Sequence, residues 1–173
     1  MTVQIDRTGL QILRHLAENG RVSHTDLGKA VGLSSSSVYN RVQHLEQSGV
    51  IQGYTAVLDA QKLGYGVTAF VFVQTSANPE EYQEVAEFIT TSPFITEAYD
   101  VTGNAMYLLK VQARSLEELG QVIKSVRALS VVTGTETVGS LATLKRASFV
   151  PDADEADSAQ PASSSKTGGG QVD

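Results

Sequence analysis

Apolar side chains recur at helical spacing through the first fifty residues, and three separate stripes emerge. Leu10, Leu13, Leu16 and Ala17, with Ile12 beside them, predict a helix over residues 6–19. Asp6 stands where a start cap is needed, and Asn19-Gly20 is placed for a left-handed stop. A second helix is expected after Ser23, with Asp26 three residues on as the capping-box acid, Leu27, Ala30 and Val31 facing inward, and Gly32 as its end. Ser34 caps a third, running to about Ser48 and stopping at Gly49. Stepping 100° per residue along this third helix puts Val38, Val42 and Leu45 on one face. Ser36, Asn40, Gln43 and Gln47 fall opposite, with Ser37 and His44 to one side and Tyr39 to the other. Three short helices with a glycine turn between the last two make a helix-turn-helix unit. The following VIQGYTAVLD, β-branched with a glycine, is expected as a short wing or an exit strand.

Beyond Gly64 the pattern changes. Val67 to Thr75 is a β-branched and aromatic run with the length of a buried strand. Pro79 opens an amphipathic helix to about Thr91, with Tyr82, Val85, Ala86 and Ile89 apolar. Ile95–Val101 and Met106–Val111 then read as strands joined by a hairpin turn at Thr102-Gly103-Asn104. Ser115 caps a helix to about Leu129, and Val131 to Leu144 supplies a last strand or two. The order β-α-β-β-α-β is ferredoxin-like: an antiparallel sheet with both helices on one face, within an α+β chain. The sheet's other face needs a cover, and a second copy is the economical one. From Pro151 onward Asp, Ala, Ser and Gly predominate, a composition unable to offset its ordering entropy, so residues 151–173 are expected as a disordered acidic tail.

Composition narrows the function classes. The 173 residues contain no cysteine, which removes disulfide and thiolate chemistry and suits a reducing compartment. His15, His24 and His44, the only histidines, form no i, i+4 pair, so no metal site and no cofactor is expected. No run reaches the roughly 20 apolar residues of a membrane span, and a cytoplasmic location is expected. Asp59, Asp100 and Glu136 are scattered acids without a base or nucleophile beside them, and Gly64-Tyr65-Gly66 is too short for a nucleotide loop. No enzyme is expected. The net charge of −6 is unevenly spread. Residues 1–50 hold five basic and four acidic side chains, and residues 151–173 hold one basic and five acidic ones. A head carrying +1 binds phosphates weakly, so several heads are expected to act together.

The outward face of the third helix is the candidate DNA reader. Ser35, Ser36 and Ser37 lie at the helix start, the part that reaches base edges in helix-turn-helix docking. Asn40 and Gln43 can pair with adenine edges, while Tyr39, Arg41 and His44 are placed for phosphates. The plainer reading is a solvated polar face. Four consecutive serines are, however, poor helix formers and ask for another reason.

Read together, IDRTGLQILRHLAENGRVSHTDLGKAVGLSSSSVYNRVQHLEQSGVIQGYTAVLD, LGYGVTAFVFV, AYDVTGNAMYLLKV and VVTGTETVGSLATLKR resemble the leucine-responsive/asparagine (Lrp/AsnC) regulators over about residues 5–150. The resemblance implies a transcription regulator with a winged helix-turn-helix over residues 1–55, a linker over 56–66 and a ferredoxin-like dimerisation and effector domain over 67–150. Its implied partners are double-stranded DNA, a second copy, further dimers in a higher assembly, and a small effector, usually an amino acid. Two departures stand out. The family usually has an acid where Gly9 stands, and its Gly-Asp-x-Asp turn reads Gly103-Asn104-Ala105-Met106 here. The candidate effector residues are Thr102, Gly103, Asn104, Ala105 and Met106 with Thr135, Thr137 and Ser140 of the last strand. Backbone N–H groups at the turn would hold a carboxylate, threonine hydroxyls would add to it, and Met106 would give an apolar wall. The plainer alternative is an ordinary hairpin. A second function class also stands: a small-molecule-binding or structural assembly protein whose N-terminal unit contacts protein instead of DNA.

Overall fold

The computed structural model describes residues 3–76 and 82–152. The described residues fall into two compact units: one up to Ala56 together with those from Lys145 on, the other Val57–Leu144.

The first unit holds Arg7–Glu18 (α1), His24–Val31 (α2) and Ser35–Gln47 (α3). Each start is capped as its side chains dictate. Asp6 accepts from the Gly9 N–H, Ser23 from that of Asp26, and Ser34 from that of Ser37. Asp26 returns the contact by accepting from the Ser23 hydroxyl at 2.7 Å. Gly32 and Gly49 close α2 and α3 at φ 71° and 74°, a region open to glycine at little cost. The end of α1 differs from expectation. Asn19 is extended at φ −144°, and its side chain accepts from the Arg21 N–H to form the turn that the left-handed stop was to make.

Ile12, Leu27, Val38, Val42 and Leu45 form the core of this unit. Ala17 and Ala30, expected inward, are exposed. Gly28 is buried instead, because the chain folds back closely there: an added Cβ would meet the Leu33 carbonyl oxygen at 2.5 Å. Gly9 is likewise buried, with a Cβ position 2.7 Å from Ile5 Cγ2. A bare backbone at Gly9 lets Ile5 pack against α1. No strand forms between residues 50 and 66, so the expected wing or exit strand is absent there. Its side chains Tyr54, Val57 and Leu58 are exposed, and no strand among the described residues pairs with this segment to supply ladder bonds.

The second unit is a four-stranded antiparallel sheet in the order β2-β3-β1-β4, formed by Val67–Thr75 (β1), Ile95–Asp100 (β2), Tyr107–Ala113 (β3) and Val132–Gly139 (β4). With Tyr82–Thr91 (α4) and Leu116–Arg127 (α5) it completes the ferredoxin-like order. The expected helix start at Pro79 lies outside the described residues, as does the expected tail from residue 153 on. Burial alternates along the central strands with period two. Ala69, Val71 and Val73 of β1 and Leu109, Val111 and Ala113 of β3 bury under Leu119, Val122 and Val126 of α5 and against Phe88 and Ile89 of α4. Thr68, Phe70 and Phe72, with Leu108 and Lys110 across the ladder, lie on the opposite face. Val138 pairs with Phe70 there and is 48% exposed.

Candidate nucleic-acid interface and effector site

The α3 pattern sorts its side chains cleanly: Val38, Val42 and Leu45 are buried, and Ser35, Ser36, Ser37, Tyr39, Asn40, Gln43 and His44 are exposed. The start of the helix carries no acidic side chain in its first turn, so its N-terminal partial positive charge is left for an anion outside. The hydroxyls at that end are not equivalent. The Ser34 oxygen lies 3.1 Å from that of Ser36 and 2.8 Å from that of Ser37, so both are drawn onto the cap. Ser35, Asn40 and His44 have no side-chain partner among the described residues. Gln43 donates a long bond of 3.5 Å to the Tyr39 hydroxyl.

Two groups that the sequence pattern did not assign to this surface complete it. His24, the first residue of α2, meets the Tyr39 ring edge-on at 5.5 Å, buttressing Tyr39 and through it Gln43. Asp6 takes both its oxygens to Arg41 Nη1 at 2.8 Å, so Arg41, expected on phosphate, is held within the protein. Burial pushes the Asp6 carboxyl up, but the Gly9 N–H and the Arg41 guanidinium outweigh it and hold the group below its ordinary value. Nothing in local periodicity could have paired Asp6 with Arg41, 35 residues away.

The effector candidates are only partly brought together. Gly103 takes φ 120°, which a hairpin turn needs and glycine tolerates. Thr102, Gly103 and Asn104 are exposed, and Ala105 and Met106 are half-buried. Of the turn's N–H groups, expected to hold a carboxylate, that of Met106 donates to the Val73 carbonyl at 2.8 Å. Thr135 pairs with the same Val73 from the other side of β1, so turn and threonine stand level across one strand. Its hydroxyl, however, accepts from Arg127 Nε at 2.6 Å. Thr137 pairs with Val71 and is exposed. Ser140 is remote: its N–H donates to Thr68, five residues back along β1, about 17 Å from the turn at strand rise. Arg127, which the sequence pattern passed over, is the group that organises Thr135. A separate cleft of about 330 Å³, lined by residues that include Phe88, Phe94, Glu118 and Val122, contains none of the eight candidates. Among the described residues no group of acids and histidines is placed to hold a metal.

Two family models match this chain: a winged helix-turn-helix DNA-binding domain over residues 5–52 and an Lrp/AsnC ligand binding domain over residues 68–149. The chain is 32% identical over 151 residues to the HTH-type transcriptional regulator FL11 of Pyrococcus horikoshii, covering 87% of this chain and 99% of that one. The chain belongs to the Lrp/AsnC family. Solved transcription regulators share its fold. The transcriptional regulator NMB0573 of Neisseria meningitidis, solved as an L-Met complex, superposes with a TM-score of 0.81 at 25% identity, covering 85% of this chain and 96% of that one. AsnC of E. coli gives 0.77 at 27% identity, covering 86% and 100%. This Lrp/AsnC member is thus a DNA-binding transcription regulator with a ligand-binding domain behind its helix-turn-helix.

Proposed function

We propose that the α3 face made by Ser35, Ser36, Ser37, Asn40 and Gln43 reads DNA bases, with Tyr39, Arg41 and His44 at its phosphate-facing flanks. The protein then works as a homodimer, or a ring of dimers, that presents two α3 helices to successive major-groove half-sites of a roughly palindromic operator. The observation that carries this reading is the exposed, unpartnered state of Ser35, Asn40 and His44 on a helix whose opposite face is fully engaged. A polar side chain with no protein partner on a rigid helix is free to pair with a base edge. Dimerisation is supported by the sheet face that no helix among the described residues covers, where Phe70, Phe72, Leu108 and Val138 stand together.

The effector is an amino acid or a related small carboxylate, by analogy with the L-Met complex of the neisserial regulator. It would be bound between the Gly103 turn and Thr135, where Arg127 offers a guanidinium that a carboxylate can share with the threonine. Such a ligand changes DNA affinity only as far as it binds one assembly better than another. The protein is read as a cytoplasmic regulator without catalytic or cofactor chemistry. Selection of duplexes from a random pool, followed by titration with Asn40→Ala protein, tests the reading face. A lost bidentate contact should cost about 1–3 kcal/mol of discrimination between selected and scrambled duplexes. Unchanged discrimination would remove Asn40 and its face from the interface.

A further inference from the structure

Of the five cations in residues 1–50, Arg14, Lys29 and Arg41 already stand in ion pairs, with Asp152, Asp26 and Asp6. The Arg41 pair is unlike the other two. Lys29 and Asp26 are neighbours on one helix, and Arg14 meets a residue near the chain's far end. Arg41 instead projects from the reading helix itself, next in sequence to Asn40, and its acceptor belongs to another element, the cap of α1. Both side chains stay open to solvent, at 40% and 55% exposure, so an ion from outside can reach the pair. Asp6 engages only Nη1 of the Arg41 guanidinium, with both its oxygens, whereas a phosphate offers anionic oxygens that can match two guanidinium nitrogens at once. Asp6 also has somewhere to remain when Arg41 leaves, because its oxygen accepts from the Gly9 N–H at 2.7 Å.

From this geometry we infer that Asp6 is an internal competitor for DNA phosphate: it holds Arg41 in the free protein, and a backbone phosphate displaces it in the complex. Asp6 thereby sets affinity without touching a base. The exchange lowers the intrinsic grip of a single head and strengthens the dependence on paired heads. It rests on the reading that the α3 face meets DNA.

The test uses the full-length protein, titrated over a range of salt concentrations onto a duplex recovered from a random-sequence pool. The variants are Asp6→Asn, Arg41→Gln, Arg41→Lys and the Asp6→Asn/Arg41→Gln double variant. Asparagine also caps helices, so Asp6→Asn keeps the start of α1. Releasing an exposed pair worth up to about 1 kcal/mol tightens binding by at most about fivefold. Arg41→Gln makes the slope of log affinity against log salt shallower by about 0.9, one phosphate's worth, whereas Arg41→Lys retains the wild-type slope. In the Arg41→Gln background Asp6→Asn gives no further gain, because there is no cation left to release. An Asp6→Asn gain of equal size in both backgrounds overturns the exchange and leaves simple charge repulsion. A wild-type slope in folded Arg41→Gln protein overturns it as well and makes Arg41 a structural tie. Retained loss of discrimination in Asn40→Ala alongside either result leaves the reading face standing while the exchange falls.

Discussion

Gly28 lies where the end of α2 folds against the residues leading into α3, and its carbonyl accepts from both the Gly32 and Leu33 N–H groups. Alanine there gains helix propensity of about 1 kcal/mol but drives a methyl into the Leu33 carbonyl, an overpacking of about 1–3 kcal/mol. Gly28→Ala should therefore lower the stability of the N-terminal unit, read as the midpoint of urea unfolding followed by helical circular dichroism. A midpoint at or above that of the parent would show that the turn relaxes freely. This glycine was hidden in the sequence because its role depends on an approach between segments and not on its own neighbours. The same blindness covers Arg41, whose phosphate assignment came from helical geometry while its partner is set by tertiary packing. It covers Ser36 and Ser37 too, whose hydroxyls turn back onto Ser34 although the helical wheel shows them facing out.

Helix boundaries were far more legible than these contacts, since capping is local chemistry. Ser23, Ser34 and Ser115 each accept from the N–H three residues on, and Gly32 and Gly49 adopt the left-handed conformation their positions imply. Asn19-Gly20 misled because an Asx-type turn competes with a left-handed stop and both favour the same residues. The strand limits of β1 followed from its β-branched run, whereas residues 50–59 have strand composition without a strand to pair with. Composition records a preference; pairing needs a neighbour. Among these elements α3 depends most on its cap, for Ser34 restrains its N–H and two reading hydroxyls together. Ser34→Ala should cost about 1 kcal/mol of stability and, with α3 docked as proposed, should weaken binding to a selected duplex more than to a scrambled one, because the frayed turn would be the one facing bases. Equal weakening of both, measured by anisotropy titration, would place that turn away from base edges.

The fold class was visible in the order of strands and helices, and the sheet order β2-β3-β1-β4 follows once α4 and α5 must share a face. What covers the opposite face is not written in one chain. With Phe70, Phe72, Leu108 and Val138 there, the proposed dimer predicts that the parent sediments as a dimer with a concentration-dependent melting temperature and that a Phe72→Lys variant sediments as a monomer without that dependence. A variant that stays dimeric would move the interface elsewhere. The course of the chain carries one more consequence. Among the described residues Lys145–Asp152 group with the first unit, and Arg14 donates to the Pro151 carbonyl and the Asp152 carboxylate. The sheet unit Val57–Leu144 is therefore, in topological terms, flanked by the two chain segments of the first unit, although the ligand-binding domain match runs on to residue 149. Swapping heads between regulators of this kind needs two splice points, one near residue 56 and one near 145, if Arg14 is to keep its native partners. A single splice forfeits an exposed ion pair of at most about 1 kcal/mol, a loss too small by itself to unfold the head.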